Sequence, residues 1–296
     1  IAFTKSKKLL NIDNNAKTVK GQKYGFMTAI LYLAPSNQSG FNVCPQASKG
    51  CKRACLYTAG HGAYDSVKQG RINKTLWYIQ ERKTFLDKLR KEINAFIKKA
   101  KSKGLVPCIR LNGTSDISWE NTGLIDEFKS IQWYDYTKVY KRALKFVNGT
   151  LPKNYHITYS LNEDNKKQAF DILKKGGVII YPTDTVYGLG CDINSKKAVE
   201  RVAQIKGLKV EKANLSIICY DLSHITDYAK HVDNKTFKMM KKGLPGPFTF
   251  ILEASNLIPK IFTAKKKTIG IRVSKREETS GIDAVSFGVK SYTSNE

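Results

Sequence analysis

Three cysteines, Cys44, Cys51 and Cys55, fall within twelve residues of the segment "FNVCPQASKGCKRACLYTAGHG". Thiolates so placed on one loop could hold an iron-sulfur cluster with one iron left open, or zinc with a fourth ligand such as His61. The spacing does not separate the two metals. Lys49, Lys52 and Arg53 supply the nearby positive charge that favours a thiolate. The alternative is a cysteine-rich turn whose thiols are simply packed. A second chemical stretch is "VIIYPTDTVYGLG". Pro182 has no N–H and ends a strand's hydrogen-bond ladder. Thr183, Asp184 and Thr185 then offer short hydroxyl and carboxylate groups, Tyr187 can stack on a ring, and Gly188 and Gly190 let backbone approach a ligand closely. The composition suits a small polar ligand held against main chain, or else a hydroxyl-stabilised turn between strand and helix.

A third set of candidates sits where apolar runs give way to polar residues. Asn112, Thr114, Ser115 and Asp116 follow "LVPCIRL", Asp135, Thr137 and Lys138 close "QWYDYTK", and Ser160 closes "YHITYS". Asp116 and Glu120 are candidate acids, Asp135 and Lys138 their neighbours on the next strand, and Arg71 a candidate anion contact. Each could equally be an ordinary cap or salt bridge.

The elements that must position these groups alternate. "YGFMTAILYLA" reads as a strand, and "TLWYIQERKTFLDKLRKEINAFIKKAKSKG" as a long helix or helix pair ended by Gly104. "LVPCIRLNGTSD" is the next strand, "IDEFKSI" a short helix, and "QWYDYT" and "YHITYSL" further strands. Strand–helix alternation predicts right-handed βα units and a parallel sheet, whose ligands gather at the carboxyl ends of the strands. A second half opens with the amphipathic helix "NEDNKKQAFDILKKGG", where Gly176 suits a left-handed C-cap. The strand "VIIYP", the helix "KKAVERVAQIKG", the strand "NLSIICYD", the helix "NKTFKMMKKG" and the strands "FTFILEA" and "TIGIRV" follow. The boundary between halves is expected near Asn162 to Lys167, without a Pro/Gly/Ser linker.

The chain has 296 residues, 41% of them hydrophobic, enough for two ordinary domains with their own cores. Its formal net charge of +26 fits a polyanion-binding surface, though charge alone does not choose between RNA, DNA and nucleotide. Lysine dominates the positive charge, so many of these residues are expected on solvated helix faces. No apolar run approaches the ~20 residues that span a bilayer, and no leader-like segment opens the chain, so a cytoplasmic protein with no membrane partner is expected. Cys108, Cys191 and Cys219 stand singly in apolar runs and read as buried small hydrophobes.

Two resemblances add to these readings. "VCPQASKGCKRACLYTAGHGAYDSVKQGRINKT", "IRLNGTSDISWE", "YDYTKVYKR" and "NYHITYSLNE" together resemble the phage-encoded gene product 88 group, from about Lys5 to Asn162. That likeness implies a cysteine-bearing α/β, partial-barrel-like domain and no established reaction. "GGVIIYPTDTVYGLGCD", "VERVAQIKGLK", "NLSIICYDLSHITDYAK", "NKTFKMMKKGLPGPFTFILEAS" and "KKKTIGIRV" resemble, in order, the YrdC/YciO family, from about Gln168 to Val273. It implies a twisted α/β sheet with a concave, positively charged face. Members make threonylcarbamoyl-adenylate from threonine, bicarbonate and ATP with Mg²⁺ for tRNA modification, and some bind double-stranded RNA. Carried over by position, Thr183, Thr185 and Tyr187 would line a threonine pocket, while Lys206, Ser216 and Arg272 would contact nucleotide. The synthase pattern Lys-x-Arg reads here Lys206, Gly207, Leu208, closer to the YciO subgroup. The tail "SKREETSGIDAVSFGVKSYTSNE" leaves the family pattern. The expected organisation is therefore a phage-type cysteine-cluster α/β domain over 1–162, an incomplete YrdC/YciO-like domain over 163–275 and an off-family tail over 276–296. Such a chain would be chimeric, with RNA, threonine and ATP as its partners.

Overall fold

The computed structural model describes residues 2–12, 16–183, 187–210, 213, 215–219, 221–263, 267–273 and 287–289. It divides into two compact units, Ile1–Ile157 and Thr158–Glu296.

The first unit contains strand β1 (Leu10–Ile12), helix α1 (Ala16–Gln22), β2 (Phe26–Leu31), the short α2 (Lys49–Arg53), α3 (Asp65–Gln80), α4 (Arg82–Ser102), β3 (Val106–Arg110), α5 (Leu124–Glu127), β4 (Gln132–Thr137) and α6 (Tyr140–Val147). Strand β5 (Tyr155–Ser160) runs across the division. Spatial order follows chain order from β1 to β5. β1 is antiparallel to β2, whereas β2–β3 and β3–β4 are parallel. Each parallel strand lying beside its predecessor is what repeated right-handed βα winding produces. This is the α/β arrangement the alternation predicts.

The long charged segment resolves into two helices, α3 and α4, and Gly104 takes the left-handed conformation just past the second (φ 65°). On α4, Phe85, Leu89, Ile93, Phe96 and Ala100 recur at helical spacing and are all buried. They pack with Met27, Leu31, Ile109, Trp119 and Trp133 in one core. Glu92, on the same helix, accepts hydrogen bonds of 2.9 Å from the main-chain N–H of Leu9 and Leu10 and so pins β1.

The second unit contains α7 (Lys166–Lys174), β6 (Ile179–Tyr181), β7 (Gly188–Gly190), α8 (Lys196–Ile205), β8 (Ser216–Cys219), α9 (Ile225–Tyr228), α10 (Asn234–Gly243), β9 (Phe250–Glu253), α11 (Lys260–Thr263), β10 (Thr268–Val273) and β11 (Phe287–Val289). The division falls a few residues before the expected boundary because Tyr159 and Ser160, at the end of β5, pair in parallel with β6. β6 stops at Tyr181, immediately before Pro182, and is antiparallel to β7. Gly176 has φ 75° after α7, the left-handed cap its position calls for. A four-stranded sheet has the order β11-β8-β10-β9, with β8 and β10 parallel. Alternation splits its residues by face. Ile217, Cys219, Ile269, Ile271 and Val273 join a core with Met240 and Leu244, which leaves Ser216, Gly270 and Arg272 on the other side. Among the described residues, no helix is long and apolar enough to cross a membrane.

Candidate functional site

In the first unit the polar strand ends converge on an arginine. Arg142, in the first turn of α6, is 2% exposed and faces three carboxylates. Its Nη1 donates to Asp116 Oδ1 at 2.7 Å, its Nε to Glu120 Oε1 at 3.0 Å, and its Nη2 to Glu120 Oε2 at 3.0 Å and Asp135 Oδ2 at 3.4 Å. A further bond of 2.6 Å joins Nη2 to the Tyr155 hydroxyl oxygen. Burial pulls the Arg142 pKa down, but Tyr155, Asp135, Asp116 and Glu120 outweigh it and hold the guanidinium above its ordinary value. Asp135, itself 2% exposed, is pushed up to about 6, chiefly by burial and against the opposing pull of Arg142 and Arg110. Its Oδ2 accepts from Asn112 Nδ2 and, at 3.2 Å, from Tyr155.

The strand-end residues thus have separate duties. Asn112 ties the turn after β3 together, its Oδ1 accepting from Ser115 (2.8 Å), the Ile117 N–H (2.9 Å) and Trp119 Nε1 (3.1 Å). Asp116 accepts from the Thr137 hydroxyl at 2.7 Å and from the Lys138 N–H at 2.8 Å. Asp116, Glu120 and Asp135 are brought together as candidates. Lys138 contributes its main-chain N–H to Asp116, and Arg71 lies outside the network. Arg142 was missed by sequence reasoning, because one arginine in "YKRALKFVNG" looks like any other cation on a basic chain. The available signal was three acids at adjacent strand ends with no counter-charge assigned. As it stands the cluster is a saturated, low-dielectric ion network with one carboxyl that titrates near neutrality.

Gly113 belongs to the same edge. A Cβ there would lie 2.6 Å from Tyr32 Cδ1, 2.7 Å from the Leu31 carbonyl oxygen and 2.8 Å from Ile30 Cγ2. Gly113→Ala is expected to cost about 1–3 kcal/mol as an overpacked site that main chain must relieve. Urea unfolding of the two proteins checks this, and an unchanged midpoint would show that the strand ends yield freely.

The cysteine loop is fastened to this edge as well. The Asp116 N–H donates to the Val43 carbonyl at 2.8 Å, and the Cys44 thiol donates to the Thr114 carbonyl at 3.6 Å. Cys51 sits in α2, whose first turn is capped by Ser48, and Cys55 follows it; all three are half-buried free thiols. They lie within electrostatic reach of one another. Burial pushes Cys44 up to about 11, so it is a neutral thiol at neutral pH. Among the described residues no three His, Cys, Asp or Glu side chains are gathered as metal ligands, and His61 packs edge-on against Tyr64 instead. The cysteines in this arrangement do not fit zinc or an iron-sulfur cluster: ligation needs thiolates turned toward one point. Cys108, Cys191 and Cys219 are buried, as their apolar settings predict.

In the second unit, Thr183 is half-buried and Tyr187 is 57% exposed, while Thr185 lies outside the described residues. Gly188 and Gly190 serve a different purpose from the one expected. A Cβ on either would fall 2.8 or 3.0 Å from the Tyr181 ring across the β6–β7 pair, so the space they leave is filled by protein. Lys206 is the C-cap of α8, one residue before Gly207 at φ 65°. Ser216 and Arg272 share a sheet face: Ser216 is in register with Gly270, and Arg272 with Ile218. Arg272 is 5% exposed. A Cβ at position 270 would sit 2.7 Å from Ser216 Oγ, so glycine there is what lets the serine stand between the strands.

Comparison with known proteins bears on both units. The family model described as gene product 88 matches residues 4–233. The chain belongs to the gene product 88 family. The match runs through Asn162–Lys167, so this gene product 88 member carries its family signal past the expected boundary. A second similarity covers less of it. An uncharacterized protein YciO of Escherichia coli strain K12 is 46% identical over 107 residues, which is 36% of this chain and 51% of the relative. A threonylcarbamoyl-AMP synthase of Buchnera aphidicola is 39% identical over 109 residues, 36% of this chain and 62% of the synthase. The chain spans about half the length of these curated uncharacterized relatives, YciO among them. Among solved structures, E. coli YciO is 37% identical, with a TM-score of 0.40, covering 44% of this chain and 64% of that one.

Proposed function

We propose that the second unit of this gene product 88 protein binds an adenine nucleotide and threonine, in the manner of a threonylcarbamoyl-adenylate synthase, and that it meets RNA through its basic surface. The reading is carried by one observation: Ser216 and Arg272, the two nucleotide positions implied by the likeness, share the sheet face turned away from the core. The 39% identity to a relative named threonylcarbamoyl-AMP synthase supports the reaction class. In that chemistry the threonine amine and bicarbonate form a carbamate. Its oxygen attacks the α-phosphorus of ATP, and pyrophosphate leaves. No covalent nucleophile is required of the protein, only positioning and neutralisation of phosphate charge. Arg272 is suited to a phosphate oxygen or carboxylate by its planar fork, Lys206 to the triphosphate as a compact charge, and Ser216 to a hydrogen bond. Thr183, Thr185 and Tyr187 are proposed for the threonine side. Mg²⁺ would arrive with the nucleotide; among the described residues no acidic group is gathered for it.

Calorimetric titration of the full chain with ATP, with and without threonine, tests the reading. Arg272→Ala and Lys206→Ala are each expected to weaken ATP binding by about tenfold or more, equivalent to ~1.4 kcal/mol or above. Binding unchanged in both variants would overturn the assignment of the nucleotide face. For RNA, affinity is expected to fall steeply between low and physiological salt, as counterion release requires.

A further inference from the structure

Arg71, half-buried on α3, differs from the buried Arg142 of the same unit. Arg142 is surrounded by acids, whereas Arg71 forms no ion pair among the described residues. Its guanidinium lies 5.1 Å over the Tyr32 ring and 5.6 Å over the Tyr57 ring. Its Nη1 is buried and makes no hydrogen bond within the described structure. Burial lowers the Arg71 pKa, and Tyr32, Tyr57 and Cys55 oppose it.

The surroundings are built closely around this cation. A Cβ on Gly62 would stand 2.8 and 2.9 Å from the carbonyl oxygens of Leu56 and Tyr57 and 3.3 Å from Arg71 Nη1. The 3-10 turn Gly60–Ala63 therefore closes onto the guanidinium where only glycine fits. Tyr32 directly follows β2 and is held by Gly113, which sets the pair at the carboxyl edge of the parallel strands. That edge is where α/β sheets receive ligands. Stacking on two aromatic faces orients a guanidinium and leaves its in-plane N–H groups to be satisfied. A half-buried cation with one buried, unfilled donor is costly, and an oxyanion is the group that relieves it.

We infer that Arg71, set against Tyr32 and Tyr57 and closed over by the Gly60–Ala63 turn, anchors a site for the oxyanion of a small molecule, a carboxylate or phosphate group, beside Cys55. The site lies in the first unit and is separate from the nucleotide face proposed above.

The test uses the full chain at constant ionic strength in chloride, with inorganic phosphate or acetate added. Two quantities are followed: the thermal midpoint, and the rate at which iodoacetamide alkylates Cys55, mapped by mass spectrometry. One anion or both is expected to raise the midpoint and to change the Cys55 rate by about threefold or more. A response to phosphate alone identifies a phosphate ester as the ligand class, and a response to acetate alone a carboxylate. Arg71→Gln is expected to abolish the Cys55 response to either anion, and Arg71→Lys to weaken anion affinity about tenfold, since a point charge replaces the planar fork. Arg272→Ala should retain both responses, which separates this site from the nucleotide face. Wild-type protein indifferent to both anions, or a Cys55 response that survives in Arg71→Gln, overturns the proposal.

Discussion

Arg142→Met is expected to destabilise the chain by about 3–5 kcal/mol, the typical cost of removing one partner from a buried ion network. The substitution keeps side-chain length and packing on α6 while leaving Asp116, Glu120 and Asp135 without the cation they share. It also takes away the donor to the Tyr155 hydroxyl oxygen, which accepts from Arg142 at 2.6 Å and keeps its own bond to Asp135. Equilibrium unfolding in urea measures the loss. A second variant sharpens the argument: Arg142→Met combined with Asp135→Asn removes one of the stranded charges and should recover part of the stability. Additive losses in the double variant, or a loss below about 1 kcal/mol for Arg142→Met alone, would show that the three carboxylates do not depend on the guanidinium.

The second large effect is a dependence of stability on pH set by Asp135. Its carboxyl is raised from the usual 3.8 to about 6 in the folded chain. Between those values the folded chain keeps a proton that the unfolded chain has released. Stability contributed by the protonated form is therefore present below about pH 4 and falls as pH rises toward 6 and beyond. At about 1.4 kcal/mol for each pH unit separating the two values, the difference by pH 7 is roughly 3 kcal/mol. Asp135→Asn lacks this titration. Unfolding free energies of the two proteins from pH 4.5 to 7.5 should diverge in favour of the variant as pH rises. A constant gap across the range would mean that Asp135 is ionised throughout. The groups facing Asp135 that shape the curve are Arg142, Arg110 and Asp116.

The strands that carry both sites were legible because their apolar runs end in recognisable polar punctuation. "QWYDYT" is β4 residue for residue, and "TIGIRV" is β10. Gly104 and Gly176 marked helix ends because left-handed backbone is cheap only without a Cβ. What escaped is equally specific. β7 consists of Gly188, Leu189 and Gly190, which no strand preference selects; it forms because Tyr181 opposite needs the space that two glycines leave. α6 escaped because "YKRALKFV" carries no capping signal: Val139, its N-cap, makes no side-chain cap bond. With α6 went Arg142, the centre of the network whose acids were visible. Cys44, Cys51 and Cys55 were conspicuous as a triplet in sequence, yet spacing gives no direction to a thiol, and Cys44 turns to the Thr114 carbonyl.

Position 270 in the second unit constrains how this protein can change. Glycine there faces Ser216 so closely that an added methyl group would meet its hydroxyl oxygen at 2.7 Å and the Thr249 methyl at 3.1 Å. Alanine at 270 thus requires the Ser216 hydroxyl to turn away or position 216 to lose its oxygen, and either change takes a hydroxyl from its place on the proposed nucleotide face. The two positions are coupled, so that a lineage or library that fills the glycine must also move or give up the serine's oxygen.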